Sequence, residues 1–217
     1  MAHYSGLVTL VDTWFGKFVD QLKRLDLWNN SVVVFVSDHG TNFADNPEGV
    51  IGKPHYSMYP GLMNIPLLIH LPGEEGATEE IADLVYNIDI PATFYQLAGL
   101  ELNDSVEGRS LLPYLKGEGR QESRKYVTCR YGETVWYRDE RHWAIIRTDG
   151  KPRALFDLKE DPDCDNDLLD EDGRDDREVN DIVDKAWERI LADAGGEIPI
   201  YNVSGRTDAL GRFAAGE

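Results

Sequence analysis

Hydrophobic spacing divides the chain into stretches of different period. From Val8 onward, Val11, Phe15, Phe18, Val19, Leu22 and Leu25 recur every three or four positions, with Asp12, Lys17, Asp20 and Lys23 mostly between them. That spacing predicts an amphipathic helix. Asn29-Asn30 breaks it, and Ser31-Val32-Val33-Val34-Phe35-Val36 follows without alternation. Such a run suits a strand covered on both faces, as in a parallel sheet. Ile65-Pro66-Leu67-Leu68-Ile69-His70-Leu71 predicts a second apolar strand, with Pro66 near its start and Pro72-Gly73 as its stop. Glu79 to Ile88 has helical spacing. Another helix begins near Asp89, with Pro91 in its first turn and Gly99 at its end. Strand and helix in this order predict a unit with a right-handed crossover.

The period changes after Gly117-Glu118-Gly119-Arg120. Short apolar runs at 125–130, 134–138, 143–147 and 154–158 predict a small antiparallel sheet. Val179, Ile182, Val183, Ala186, Trp187, Ile190 and Leu191 restore helical spacing. Three parts are therefore expected: residues 1–118 as an α/β portion, 119–198 as a small antiparallel sheet plus helix, and 199–217 as a loose tail.

Composition narrows the function classes. Against 22 Lys and Arg stand 40 Asp and Glu, a net charge of −18 over 217 residues. Nucleic-acid binding through a broad basic surface is excluded on this reading, as is adsorption to an anionic membrane. No window approaches the ~20 apolar residues of a membrane-spanning helix. Asp12, Lys17 and Asp20 also argue against a secretory signal in the first twenty residues. The two cysteines, Cys129 and Cys164, allow one disulfide at most and form no CxxC pair.

Asp38-His39 is the sharpest chemical signal, because it follows the first strand directly. Catalytic groups of open α/β sheets collect outside the carboxyl ends of their strands. An aspartate oxygen and a neutral imidazole nitrogen together suit a divalent cation. The competing reading has Asp38 capping a turn and His39 making a local hydrogen bond. In Gly52-Lys53-Pro54-His55-Tyr56, Lys53 can neutralise an oxyanion, and His55 can donate to the same anion or protonate a leaving oxygen. A solvated loop lysine beside a surface histidine is the alternative there. His3, His70 and His142 read as structural, although His70 could approach the same face as Asp38. Gly108-Arg109-Ser110 reads as a turn or as an anion-facing loop. There is no GxGxxG, Walker loop, HExxH or GxSxG.

Taken in order, these segments resemble the sulfatase family of the alkaline-phosphatase-like superfamily. The resemblance rests on Leu25-Asp26-Leu27-Trp28-Asn29-Asn30, Ser37-Asp38-His39-Gly40, Gly52-Lys53, Asn64-Ile65-Pro66, Asn87-Ile88-Asp89-Ile90-Pro91 and Glu107-Gly108-Arg109-Ser110. Leu155-Phe156-Asp157-Leu158 with Asp161-Pro162 completes it, Phe156 replacing the family's tyrosine. It extends over about residues 4–170 and implies the C-terminal portion only. The implied fold is α/β: part of an alkaline-phosphatase-like, mixed or mostly parallel sheet with flanking helices, plus the small antiparallel sheet packed with a helix.

The resemblance implies a metal-dependent sulfuric ester hydrolase. Asp38 and His39 match two ligands of a single divalent ion, calcium or magnesium. Lys53 matches a lysine on the sulfate group, and His55 a substrate-contacting histidine. The family's aspartate pair and its formylglycine nucleophile have no counterpart here, since neither Cys129 nor Cys164 stands in the matching motif. The expectation is an incomplete chain, inactive and oligomeric or poorly soluble alone. Its missing half would come from another chain, or the exposed sheet edge would self-associate. The substrate would be a small-molecule or glycan sulfate ester. Alternatives are a phosphate or phosphonate ester hydrolase of the same superfamily and a non-catalytic acidic module. Compartment stays open: cytoplasmic as written, exported if a leader precedes it.

Overall fold

Helix α1 (Ala2–Arg24) opens the computed structural model, which describes residues 2–74, 80–103, 106–117, 123–169 and 177–199. It forms where the three- and four-residue spacing predicts, and Lys23 and Arg24 in its last turn oppose the negative helix end. It touches the rest of the chain through a few rings. Phe15 lies 4.9 Å from Phe35, and Tyr4 lies 4.5 Å from Phe43. None of its residues is buried.

After a 3-10 turn at Trp28–Asn30 come β1 (Val33–Val36), β2 (Asn42–Phe43), β3 (Ile51–Gly52), the short helix α2 (Pro60–Met63) and β4 (Leu67–His70). The expectation of a mixed or mostly parallel sheet is corrected here. β1 pairs with β4 antiparallel, Val33 opposite His70 and Val36 opposite Leu67. β2 pairs with β3 in the same sense, and so do all neighbours in the third sheet. Parallel neighbours need a crossover, usually a helix. Residues 37–66 hold only hairpin strands and one helical turn, so the chain returns alongside β1 in the opposite direction. The expected right-handed crossover is absent among the described residues.

The helix expected over Glu79 to Ile88 also does not form: residues 80–86 are irregular, and Glu79 lies outside the described residues. Asp89 explains the later start. Its carboxylate accepts the Tyr86 amide at 2.8 Å and holds the chain in a turn before α3 (Asp89–Leu97). The same buried carboxylate accepts the Arg109 amide at 2.7 Å and two guanidinium bonds from Arg124 at 2.5 and 2.7 Å. Gly108 passes so close that a Cβ there would sit 2.0 Å from the Ile88 carbonyl oxygen. Gly108-Arg109-Ser110 is irregular backbone held against the start of α3 by these contacts, and α4 (Leu112–Leu115) follows.

The expected boundary at 118–119 lies outside the described residues, as does the expected tail apart from Pro199. Strands β5 (Tyr126–Tyr131), β6 (Thr134–Asp139), β7 (His142–Arg147) and β8 (Pro152–Asp157) form an antiparallel meander in chain order. Its two faces do different things. On one, Val135, Tyr137, Ala144, Ile146 and Leu155 pack on Val183, Ala186 and Ile190 of α5 (Arg177–Asp193). On the other, Val127, Trp136, Trp143, Ile145 and Phe156 pack on Met58 and Tyr59. That second face makes the meander one wall of a cavity of about 580 Å³.

Candidate functional site

Asp38 and His39 leave the end of β1 on a backbone held from behind. The Gly40 amide donates to the Leu62 carbonyl, and the Thr41 amide to that of Gly61, both at 2.9 Å. A Cβ at Gly40 would lie 2.1 Å from the Gly61 oxygen, so only glycine permits this approach. The backbone seam fixes where the two preceding side chains emerge.

His39 Nδ1 lies 2.7 Å from the Gly40 carbonyl oxygen, which can only accept, so Nδ1 carries the proton. Nε2 is left with its lone pair. The Lys53 ammonium donates to it at 2.6 Å, and Asp38 Oδ2 lies 3.5 Å away. A neutral nitrogen and a carboxylate oxygen at that separation can meet one cation, since metal–donor bonds run roughly 2.0–2.6 Å. Asp38 and His39 therefore fit as two ligands of a divalent ion. Among the described residues, no group of three or more His, Cys, Asp or Glu could hold one. Asp38 also accepts the His39 amide at 2.9 Å, so the local turn bond weighed against the metal reading exists alongside it.

Asp38, His39 and Lys53 share a cavity of about 580 Å³. Val36, Leu62, Asn64 and Leu67 contribute to one side and Leu84 and Tyr86 to another, with Val127, Cys129, Tyr131, Trp136 and Arg138 on the meander wall. Strand alternation explains that wall. Cys129 pairs with Trp136 and Val127 with Arg138, so all four point to one face. His55 is not brought into this cavity. It lies in a smaller one with Tyr56, Glu133, Thr134, Arg147 and Arg153. Its ring is 6.3 Å from that of Tyr131, which lines the larger cavity. His70 points elsewhere, stacking on Trp28 at 3.7 Å and bonding its carbonyl oxygen at 3.1 Å.

Arg138 is the residue that the sequence reading did not single out. Its Nη1 donates to Asn64 Oδ1 at 3.2 Å, and its guanidinium lies 5.6 Å from the Trp143 ring centre. Its Nε is buried without an acceptor, as is Trp136 Nε1 two residues before it. A buried donor left unpaired costs about 1–3 kcal/mol. Burial lowers the Arg138 pKa from its ordinary value. Burial with nearby aspartates pushes the Cys164 thiol up to about 12, and partial desolvation raises that of Cys129, although Cys129 is exposed at the surface; neither shift favours the thiolate.

The general sulfatase model matches residues 1–100, and the model for the C-terminal part of N-sulphoglucosamine sulphohydrolase matches residues 54–193. The chain belongs to the sulfatase superfamily. The expectation that the resemblance reaches the family's C-terminal portion only is thereby corrected, because both the sulfatase-domain match and the C-terminal match are present. An arylsulfatase of Clostridium perfringens is 30% identical over 171 residues, 74% of this chain and 34% of that protein. An N-acetylglucosamine-6-O-sulfatase of Bacteroides thetaiotaomicron is 29% identical over 198 residues, 86% of this chain and 32% of that protein. The chain thus spans about a third of the length of these relatives. The phosphonate monoester hydrolase of Silicibacter pomeroyi superposes with a TM-score of 0.75 over 89% of this sulfatase-superfamily chain and 40% of its own, at 22% identity, which shows the fold alone.

Proposed function

We propose that this chain serves the hydrolysis of sulfuric esters, with a divalent cation, calcium or magnesium, held in part by Asp38 and His39. The observation that carries the reading is the convergence of Asp38 Oδ2, His39 Nε2 and Lys53 Nζ within one cavity. A bound cation supplies electrostatic stabilisation of charge on the ester oxygens. The Gly40 carbonyl holds His39 in the tautomer that presents a lone pair. Lys53, three donors on a flexible stem, can turn from His39 to a sulfate oxygen and neutralise it. His55 serves as a donor to the leaving oxygen for a substrate that reaches past Tyr131. The family's formylglycine is assigned to neither Cys129 nor Cys164.

A small-molecule or glycan sulfate ester is the substrate class, supported by the relative named as an N-acetylglucosamine-6-O-sulfatase. The edges of the β1–β4 pair, unpaired among the described residues, and the exposed apolar side chains of α1 support association with a second copy or another polypeptide.

Calorimetric titration of calcium, magnesium and inorganic sulfate into the full chain tests the site. Asp38→Asn is expected to weaken cation binding about tenfold, and Lys53→Ala to weaken sulfate binding by a similar factor, each about 1.4 kcal/mol. Sulfate binding unchanged by Lys53→Ala would overturn the site. Equal binding of sulfate, phosphate and methylphosphonate would favour the wider ester class.

A further inference from the structure

Among the described residues, the cavity contains a guanidinium that no carboxylate contacts, although Asp38 and Asp83 line the same cavity. Arg138 has no carboxylate within 4.0 Å among the described residues, in a chain holding 40 Asp and Glu. Arg124 and Arg189, by contrast, are each paired with an aspartate. Arg138 is also the more demanding case, since it is half-buried and its Nε has no acceptor. The neutral amide of Asn64 is its side-chain bond partner. Beside it on the same strand face, Trp136 Nε1 is a second buried donor without a partner. Both residues line the cavity that holds Asp38, His39 and Lys53.

Two unanswered donors on one wall, one of them cationic, call for an anionic acceptor that the described residues do not place within hydrogen-bond reach. Packing does not replace it. The Trp143 ring under the guanidinium attracts the cation through its face but offers no acceptor in the guanidinium plane. Lys53, on the loop segment, and Arg130, on β5, line the same cavity, so cationic groups address one ligand from different elements.

We propose that Arg138, with Asn64, recognises a second anionic group on the alcohol portion of the substrate, so that the preferred ligands are sulfated sugars carrying a further sulfate or carboxylate. This rests on the reading of the cavity as the sulfate-ester site. Arg138 is then a specificity residue, acting on the part of the substrate that leaves rather than on the ester itself.

The test compares two sugars that differ by one anionic group, N-acetylglucosamine 6-sulfate and N-sulfoglucosamine 6-sulfate, titrated into the full chain by calorimetry. The disulfated sugar is expected to bind about tenfold more tightly. Arg138→Gln reduces that preference to within twofold, the disulfated sugar losing more affinity than the monosulfated one. Asn64→Asp, an exposed position, places a carboxylate beside Arg138 and abolishes the preference even if Arg138→Gln fails to fold. A wild-type chain without the preference, or a preference that survives both substitutions, overturns the proposal. Lys53→Ala weakens both sugars alike if the sulfate-ester site is where we place it. If Lys53→Ala has no effect while Arg138→Gln does, the site reading fails and the anion-recognising arginine stands alone.

Discussion

The meander with α5 and the α1–β1–β4 segment are both rich in apolar residues, yet they use them differently. In the meander, Trp143, Ile145, Ile146, Leu155 and Phe156 are at most 1% exposed, and both sheet faces are covered. In α1, Leu7, Leu10 and Trp14 are 60%, 52% and 61% exposed, and no residue of the helix is fully buried. Apolar content therefore does not by itself make a core. A core needs a second surface whose side chains interdigitate with the first. The meander brings its own, from α5 on one side and residues 58–63 on the other.

Substitutions can break or sharpen this contrast. The largest loss is expected for Trp143→Ala, about 3–5 kcal/mol in urea denaturation, because the ring fills the meander core and its Nε1 donates to the Met58 carbonyl at 3.0 Å. Asp89→Asn should approach it, at about 3–5 kcal/mol, since it leaves the Arg124 guanidinium buried without its partner. Next is Asp139→Asn, with an expected loss of about 1–2 kcal/mol at pH 7. Burial alone would raise the Asp139 pKa, but hydrogen bonds from Tyr137 and from the His142 and Arg141 amides outweigh it and hold the group below its ordinary value. The stabilisation is present above the unfolded-state pKa and is lost as pH falls through the depressed folded value. The difference from Asp139→Asn should therefore shrink below about pH 4. The smallest effect on folding, within about 0.5 kcal/mol, is expected for Leu10→Glu. Its readout is association: if α1 is covered in solution by a second copy, Leu10→Glu lowers the mass seen by light scattering. An unchanged mass would leave the helix face bare.

What the sequence revealed tracks how local each signal is. The periodicity of α1 and α5 and the four short meander strands lie within single segments, and each element formed close to where it was expected. The pairing of β1 with β4 was misjudged because an unalternating run such as Val32-Val33-Val34-Phe35-Val36 reads the same in parallel and antiparallel company. Direction is decided by the intervening segment, residues 37–66, whose irregular backbone was not legible. The 79–88 helix failed for a related reason: the tie from the Asp89 carboxylate to the Tyr86 amide outcompetes a favourable spacing. Asp38, His39 and Lys53 were nameable as chemistry in order along the chain, but not as neighbours. Arg138 gave no signal at all. Arginine in an exposed-looking alternation is ordinary, and its meeting with Asn64, 74 residues earlier, depends on the tertiary fold.

The alternation along β6 has a consequence for how this chain can change. Trp136 and Arg138 look into the cavity while Val135 and Tyr137 look toward α5, so neighbouring codons serve opposite compartments. Inserting or deleting one residue in that strand would exchange the two sets and place a guanidinium against the apolar stripe of α5. An insertion of two would restore the facing. The lineage can therefore retune what the cavity accepts by point substitution, one even-numbered position at a time, while length changes are confined to the turns.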